Sequence, residues 1–143
     1  MEQQTVTVPP QTVAQSEEKK RQHQTLRQTT IYRDAANLKY MVATVMMRTP
    51  RKLSKFLDST LITAGEAKKC IAIALGTRDV GIRSTNLDYA YVLAEDVADD
   101  FVSLFHLEVI GMDMKNKVKK LAHRVAQQCV ALRDYSKSQG VTN

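Results

Sequence analysis

The 143-residue sequence contains no tryptophan, only 5 glycines, 3 prolines and 2 cysteines. So few turn formers predict few, long elements. Cys70 and Cys129 are too few for a disulfide framework and lack the paired spacing of a zinc site, so reduced thiols in a cytoplasmic protein are expected. No run approaches the roughly 18 apolar residues of a membrane span, and Met1-Glu2-Gln3-Gln4 opens without the basic and apolar regions of a signal peptide. Phosphate-binding and nucleophile motifs of the Walker, Gly-x-Gly-x-x-Gly, Gly-x-Ser-x-Gly and His-Glu-x-x-His types are missing. His23, His106 and His123 have no cysteine or carboxylate at ligand spacing. The expectation is a protein that is not an enzyme and carries no cofactor or metal. Aromatics, five Tyr and three Phe, are not interleaved with the cations, so a stacking platform for single strands is not expected.

What is present suits one soluble globular domain: 43% hydrophobic and 25% charged residues in a chain of single-domain length. Residues 1–24, with Pro9-Pro10, six Gln and a mixed Glu17-Glu18-Lys19-Lys20-Arg21 cluster, have little to bury and read as a flexible polar extension. Residues 25–138 read as the folded unit and 139–143 as a tail. Ile31, Ala35, Leu38, Val42 and Val45 alternate in steps of four and three, which predicts a helix over 25–48. Thr49-Pro50 then reads as the start of helix two, with Leu53, Leu57, Leu61, Ala64, Ala67 or Lys68, Ile71 and Leu75 on its stripe. Gly65 inside it implies either a close neighbour or an interruption.

Residues 76–83 hold two glycines and break the period, so they read as a loop, with Ser84, Thr85 or Asn86 capping helix three. That helix carries Leu87, Ala90 or Tyr91, Ala94, Val97, Phe101, Leu104 and Phe105, and is expected to close near Gly111. Asp113 reads as the cap of helix four, whose stripe is Met114, Val118, Leu121, Val125, Gln128, Leu132 and Tyr135. Four long amphipathic helices with short connections predict an all-α antiparallel four-helix bundle.

The net charge of +6 is unevenly spread. Residues 84–111 sum to −6 and hold no Lys or Arg, whereas 25–48, 49–76 and 112–143 carry +3, +3 and +5. Arg48, Arg51, Lys52 and Lys55 cluster at the first turn, where the N-terminus of helix two would add partial positive charge for phosphate. Lys115, Lys117, Lys119, Lys120 and Arg124 form a second cluster. The expectation is that the two lie at opposite ends of the bundle, so that one short ligand would not touch both. Contacts to RNA or DNA would go mainly to phosphate, with little sequence readout. Asp96, Asp99 and Asp100 mark the acidic helix as a face for self-assembly into a ring-like homo-oligomer, against a basic face of the next copy. Glu95 with Asp99, and Asp96 with Asp100, have the spacing of paired helical carboxylates, but no Glu-x-x-His accompanies them.

The order of elements, with Pro50-Arg51-Lys52 opening helix two, then Phe56 and a small-residue-rich stretch to Leu75, resembles a bacterial four-helix-bundle family. That family includes proteins encoded in ribosomal RNA intervening sequences and the accessory variability determinant (Avd) of diversity-generating retroelements. The likeness covers roughly residues 25–137. It implies a homo-oligomer, in Avd a barrel-like pentamer, whose basic surface engages a reverse transcriptase and its template RNA. Arg51 and Lys52, flanked by Arg48 and Lys55, are the positions it implicates. Without the resemblance, the alternative is a protein-interaction bundle that oligomerises through its acidic third helix and binds no nucleic acid.

Overall fold

In a computed structural model, residues 29–142 are described, with side chains through residue 139; the 1–24 extension and the first residues of the helix expected from 25 lie outside them. The described residues are all-helical, with no strand. Four long helices are labelled α1 (Thr30–Arg48), α2 (Asp58–Leu75), α3 (Val80–His106) and α4 (Met112–Thr142). Helix α1 packs on α2 and α4, and α3 packs on the same two. No helix is long and apolar enough to cross a membrane among the described residues.

Helix α1 buries Ile31, Ala35, Leu38, Val42 and Val45, the five residues of its predicted stripe. It ends because Pro50 disfavours helical backbone at the residue before it: Thr49 is extended, at φ −85° and ψ 139°. Thr49 therefore caps no second helix. Its hydroxyl donates back to the Val45 carbonyl at 2.7 Å, closing α1.

Helix two is not continuous from Pro50. A single α-turn, Arg51–Ser54, is followed by a 3-10 turn, Lys55–Leu57, before α2 begins. A 3-10 residue advances about 120° rather than 100°, so three of them rotate the face by roughly 60°. Leu53, before that turn, is consequently only partly buried, whereas the inward stripe runs from Leu57 into α2 as Thr60, Ala64, Ala67, Ile71 and Ala74, with Leu61 and Leu75 beside it and only partly buried. The helix runs unbroken through Gly65, over which the aliphatic stem of Lys39 lies; a Cβ there would meet Lys39 Cε at 3.5 Å.

The second connection is shorter than expected, residues 76–79. Asp79 caps α3, its Oδ1 accepting from the Ile82 amide at 2.9 Å, so Ser84, Thr85 and Asn86 lie inside the helix. The acidic helix thus does contain one cation, Arg83. Its Nε donates to the Ala74 carbonyl at 3.0 Å, Nη2 donates to the Thr77 carbonyl and Nη1 reaches Ser136 Oγ at 3.4 Å. One guanidinium ties the exposed C-terminal carbonyls of α2 to α3 and α4.

Helix α3 closes before Gly111. Glu108 takes the left-handed conformation, φ 62°, and the Val109 and Glu108 amides donate to the Leu104 and Phe105 carbonyls at 2.9 and 3.0 Å. Gly111 instead opens α4, its carbonyl accepting from the Lys115 amide at 3.1 Å, and Asp113 sits within the first turn rather than capping it.

The core combines a few large side chains, Phe101, Leu38, Leu57, Ile71 and Leu87, with nine buried alanines. Such small residues favour the close end of the roughly 8–10 Å range of helix separation. On α4, the buried face is Val118, Leu121, Ala122, Val125, Ala126 and Cys129; Met114, Gln128 and Leu132 are half-buried and Tyr135 is exposed.

Candidate nucleic-acid interface

Arg48 ends α1, and Arg51, Lys52 and Lys55 occupy the two short turns after Pro50; all four are exposed. Among the described residues none of these four has a carboxylate within ion-pair distance. The helix N-terminus expected to assist them is displaced. Only a four-residue α-turn begins at Arg51, and the long helix starts at Asp58, whose carboxylate occupies its first turn. Attraction for phosphate here rests on side-chain cations.

The second cluster divides. Lys117 and Lys120 are exposed and Lys119 is half-buried on α4. Lys115 stands over the Phe105 ring, with Nζ 4.8 Å from its centroid, bridging the last turn of α3 and the first of α4. Arg124 is exposed but paired within the chain: its Nε lies 3.3 Å from Asp34 Oδ2, which also accepts from Gln128 Nε2 at 3.0 Å. These bonds join α1 to α4.

The two clusters do not lie at opposite ends. Thr60 Oγ1 donates to Asp100 Oδ2 at 2.8 Å, which sets the start of α2 beside the later turns of α3. The Arg48–Lys55 connection precedes α2 and the connection leading to Lys115 follows α3, so both project beyond that bond at one end. In an up-down-up-down chain the first and third connections necessarily share an end, and the sequence expectation inverted this. Arg48, Arg51, Lys52, Lys55, Lys115 and Lys117 therefore gather at one end, with Asp58, Asp100, Glu108 and Asp113 as its acids.

The same end carries apolar side chains that residue spacing did not single out. Met47 is 86% exposed, Leu107 63%, Met112 56% and Phe56 47%. Lys55 Nζ lies 5.8 Å from the Phe56 ring centroid. Position beside a cationic turn was the signal available for Met47 and Phe56; for Leu107 and Met112 it required knowing which connections share an end.

The three acids expected at an oligomer interface separate. Asp96 and Asp99 are exposed on α3, whereas Asp100 is half-buried and accepts from Thr60 of the same chain. Next to Asp96 and Asp99, the same outer face of α3 exposes Ile82, Tyr89 and Val92. Glu95 Oε1 lies 2.9 Å from His123 Nδ1, and Asp88 accepts from Arg133 Nη1 at 2.8 Å, so other α3 acids hold α4.

No group of three or more metal-ligating side chains occurs among the described residues. Burial pushes the Cys129 thiol up to about 12, with Cys70 adding to the shift, and burial also raises Cys70; neither is poised as a nucleophile. A groove of about 400 Å³ lies where α1 begins and α2 ends, lined by Ile31, Leu75, Gln128, Ala131, Leu132 and Tyr135 among others. No charged residue lines it. No family model matches the chain, and no curated protein or solved structure is significantly similar to it.

Proposed function

We propose that this chain is a non-enzymatic accessory protein that binds nucleic acid, RNA first and DNA by the same phosphate chemistry, through the basic end of an antiparallel four-helix bundle. The observation that carries this reading is the meeting of two cationic segments at one end, Arg48 to Lys55 with Lys115 and Lys117. Six cations against four acids leave a local positive excess, while the net-negative α3 carries most of its remaining charge along the bundle's flank. The antiparallel arrangement draws support from contacts whose residue numbers run in opposite directions. Arg83 with Ser136, Asp88 with Arg133 and Glu95 with His123 pair α3 against α4 in this way.

The resemblance to the Avd family adds a protein partner, a reverse transcriptase, and a homo-oligomer, in Avd a pentamer. In such a ring each copy would present one basic end, and binding at several ends at once would raise affinity without new contacts. Fluorescence anisotropy on labelled RNA tests the proposal. Arg51→Ala/Lys52→Ala should weaken binding, and no binding by the wild-type chain would refute it.

A second reading has its own observation. The exposed Ile82, Tyr89 and Val92 beside Asp96 and Asp99 form an outer α3 surface suited to another copy's basic helix face. On that reading the bundle assembles through α3 and binds no nucleic acid. Light scattering on Asp96→Lys/Asp99→Lys separates the two: loss of an oligomer without any RNA binding by the wild type favours assembly alone.

A further inference from the structure

Phosphate attraction alone does not account for the basic end. Met47, Phe56, Leu107 and Met112 stand exposed among its cations, two flanking each of the two connections that meet there. A duplex presents a hydrated sugar-phosphate exterior to a blunt helical end, and apolar side chains pressed against it would lose water contact without gaining an apolar partner. Unpaired nucleotides differ. Their bases can turn away from the backbone, leaving phosphates for the cations and flat, weakly hydrated faces for Phe and the aliphatic side chains.

We infer that the basic end takes single-stranded nucleic acid, its phosphates held by Arg48, Arg51, Lys52 and Lys55 and its unstacked bases lodged on Phe56, Leu107, Met47 and Met112. The inference rests on the proposed nucleic-acid binding and names the form bound. Such a site departs from the expectation that no stacking platform exists: Phe56, the one aromatic of the four, directly follows Lys55, whose Nζ lies 5.8 Å from its ring centroid, and precedes the buried Leu57, which fixes the turn beneath it. Met47 and Met112 supply flexible, polarizable surface that tolerates any base, so the site accepts many sequences. The two connections stand on packed helices whose axes lie about 8–10 Å apart, a separation that a short strand crosses.

The test compares a labelled RNA of about 20 nucleotides, unstructured, with a blunt duplex of the same sequence, by anisotropy at fixed salt. The length exceeds the roughly 4–16 nucleotides of a single-strand site. The wild type should favour the single strand by about tenfold or more. Phe56→Ser/Leu107→Ser should lower single-strand affinity by about tenfold, in keeping with loss of stacked bases, and leave duplex affinity unchanged. Arg51→Ala/Lys52→Ala should weaken both. Equal affinity for the two forms, or equal loss of both in Phe56→Ser/Leu107→Ser, overturns the inference while leaving the phosphate-binding reading standing. Absence of binding to either form overturns both. Sedimentation with vesicles of phosphatidylserine and phosphatidylcholine, lost in Phe56→Ser/Leu107→Ser while no single-strand preference exists, would assign the end to a membrane surface instead.

Discussion

Arg83 is the side chain on which most of the described long-range polar contacts at the second connection converge, and its removal has a calculable cost. In Arg83→Ala the Ala74 and Thr77 carbonyls lose a charged donor, and Ser136, which is buried, loses its long contact at 3.4 Å. Hydrogen bonds to charged groups contribute about 1.5–3 kcal/mol each. Counting only the two bonds to carbonyls, at the low end because the guanidinium is half-buried and water can reach the vacated space, gives about 3 kcal/mol. A chain of 143 residues with an unfolding entropy near 2.1 cal/mol/K per residue should then lose roughly 10 °C in melting temperature. Thermal and urea unfolding followed by circular dichroism at the helical band measure it. Arg83→Lys should fall between, since an ammonium keeps the charge beside the α2 carbonyls but cannot span three acceptors. A loss below about 0.5 kcal/mol in Arg83→Ala would refute the view that this guanidinium locks three helices together.

Other residues make further predictions. Gly65→Ala should stabilise the protein by up to about 1 kcal/mol, because the added methyl meets the Lys39 stem at ordinary contact distance and the helix gains propensity; urea denaturation reads it. Thr60→Val should destabilise by about 1–3 kcal/mol by leaving Asp100 without its donor, and Thr60→Ser should recover most of that. Cys129 should resist thiol reagents at pH 8 until the chain unfolds. Its folded value, pushed up to about 12, lies above the ordinary 9.0, so its contribution is intact below pH 9 and is lost as pH rises towards 12. Cys129→Ala should therefore lose less stability over that alkaline window than the wild type, as urea midpoints at pH 8 and pH 11 would record.

Much of this fold can be read from residue spacing, and the departures have physical causes. The α1 stripe is legible because Ile31, Ala35, Leu38, Val42 and Val45 lie on one uninterrupted helix, with no competing geometry. On α2 the period alone did not choose between neighbours: the buried stripe runs Leu57, Thr60, Ala64, Ala67, Ile71 and Ala74, so Thr60 and Ala74 take the places expected of Leu61 and Leu75, while the 3-10 turn at Lys55–Leu57 takes Leu53 off the stripe. Glycine misled at both later boundaries. Gly81 lies inside α3 because Asp79 caps the helix first, and Glu108 adopts the left-handed conformation that Gly111 was expected to supply. The cations were legible as two clusters, but their union at one end depends on how the connections are arranged in space. Charge segregation likewise suggested a wholly acidic α3, whereas Arg83 belongs to it and Asp100 and Glu95 serve contacts within the chain.

The central claim is that a cationic end engages nucleic acid through phosphates, and the salt dependence of RNA affinity tests it most directly. Each phosphate neutralised on a single strand contributes a slope of about −0.7 in log K against log salt, so engagement of four to six cations predicts a slope of roughly −3 to −4. Arg51→Ala/Lys52→Ala should make that slope shallower by about 1.4. A flat salt response, or a slope unchanged by removing those two cations, would contradict the account.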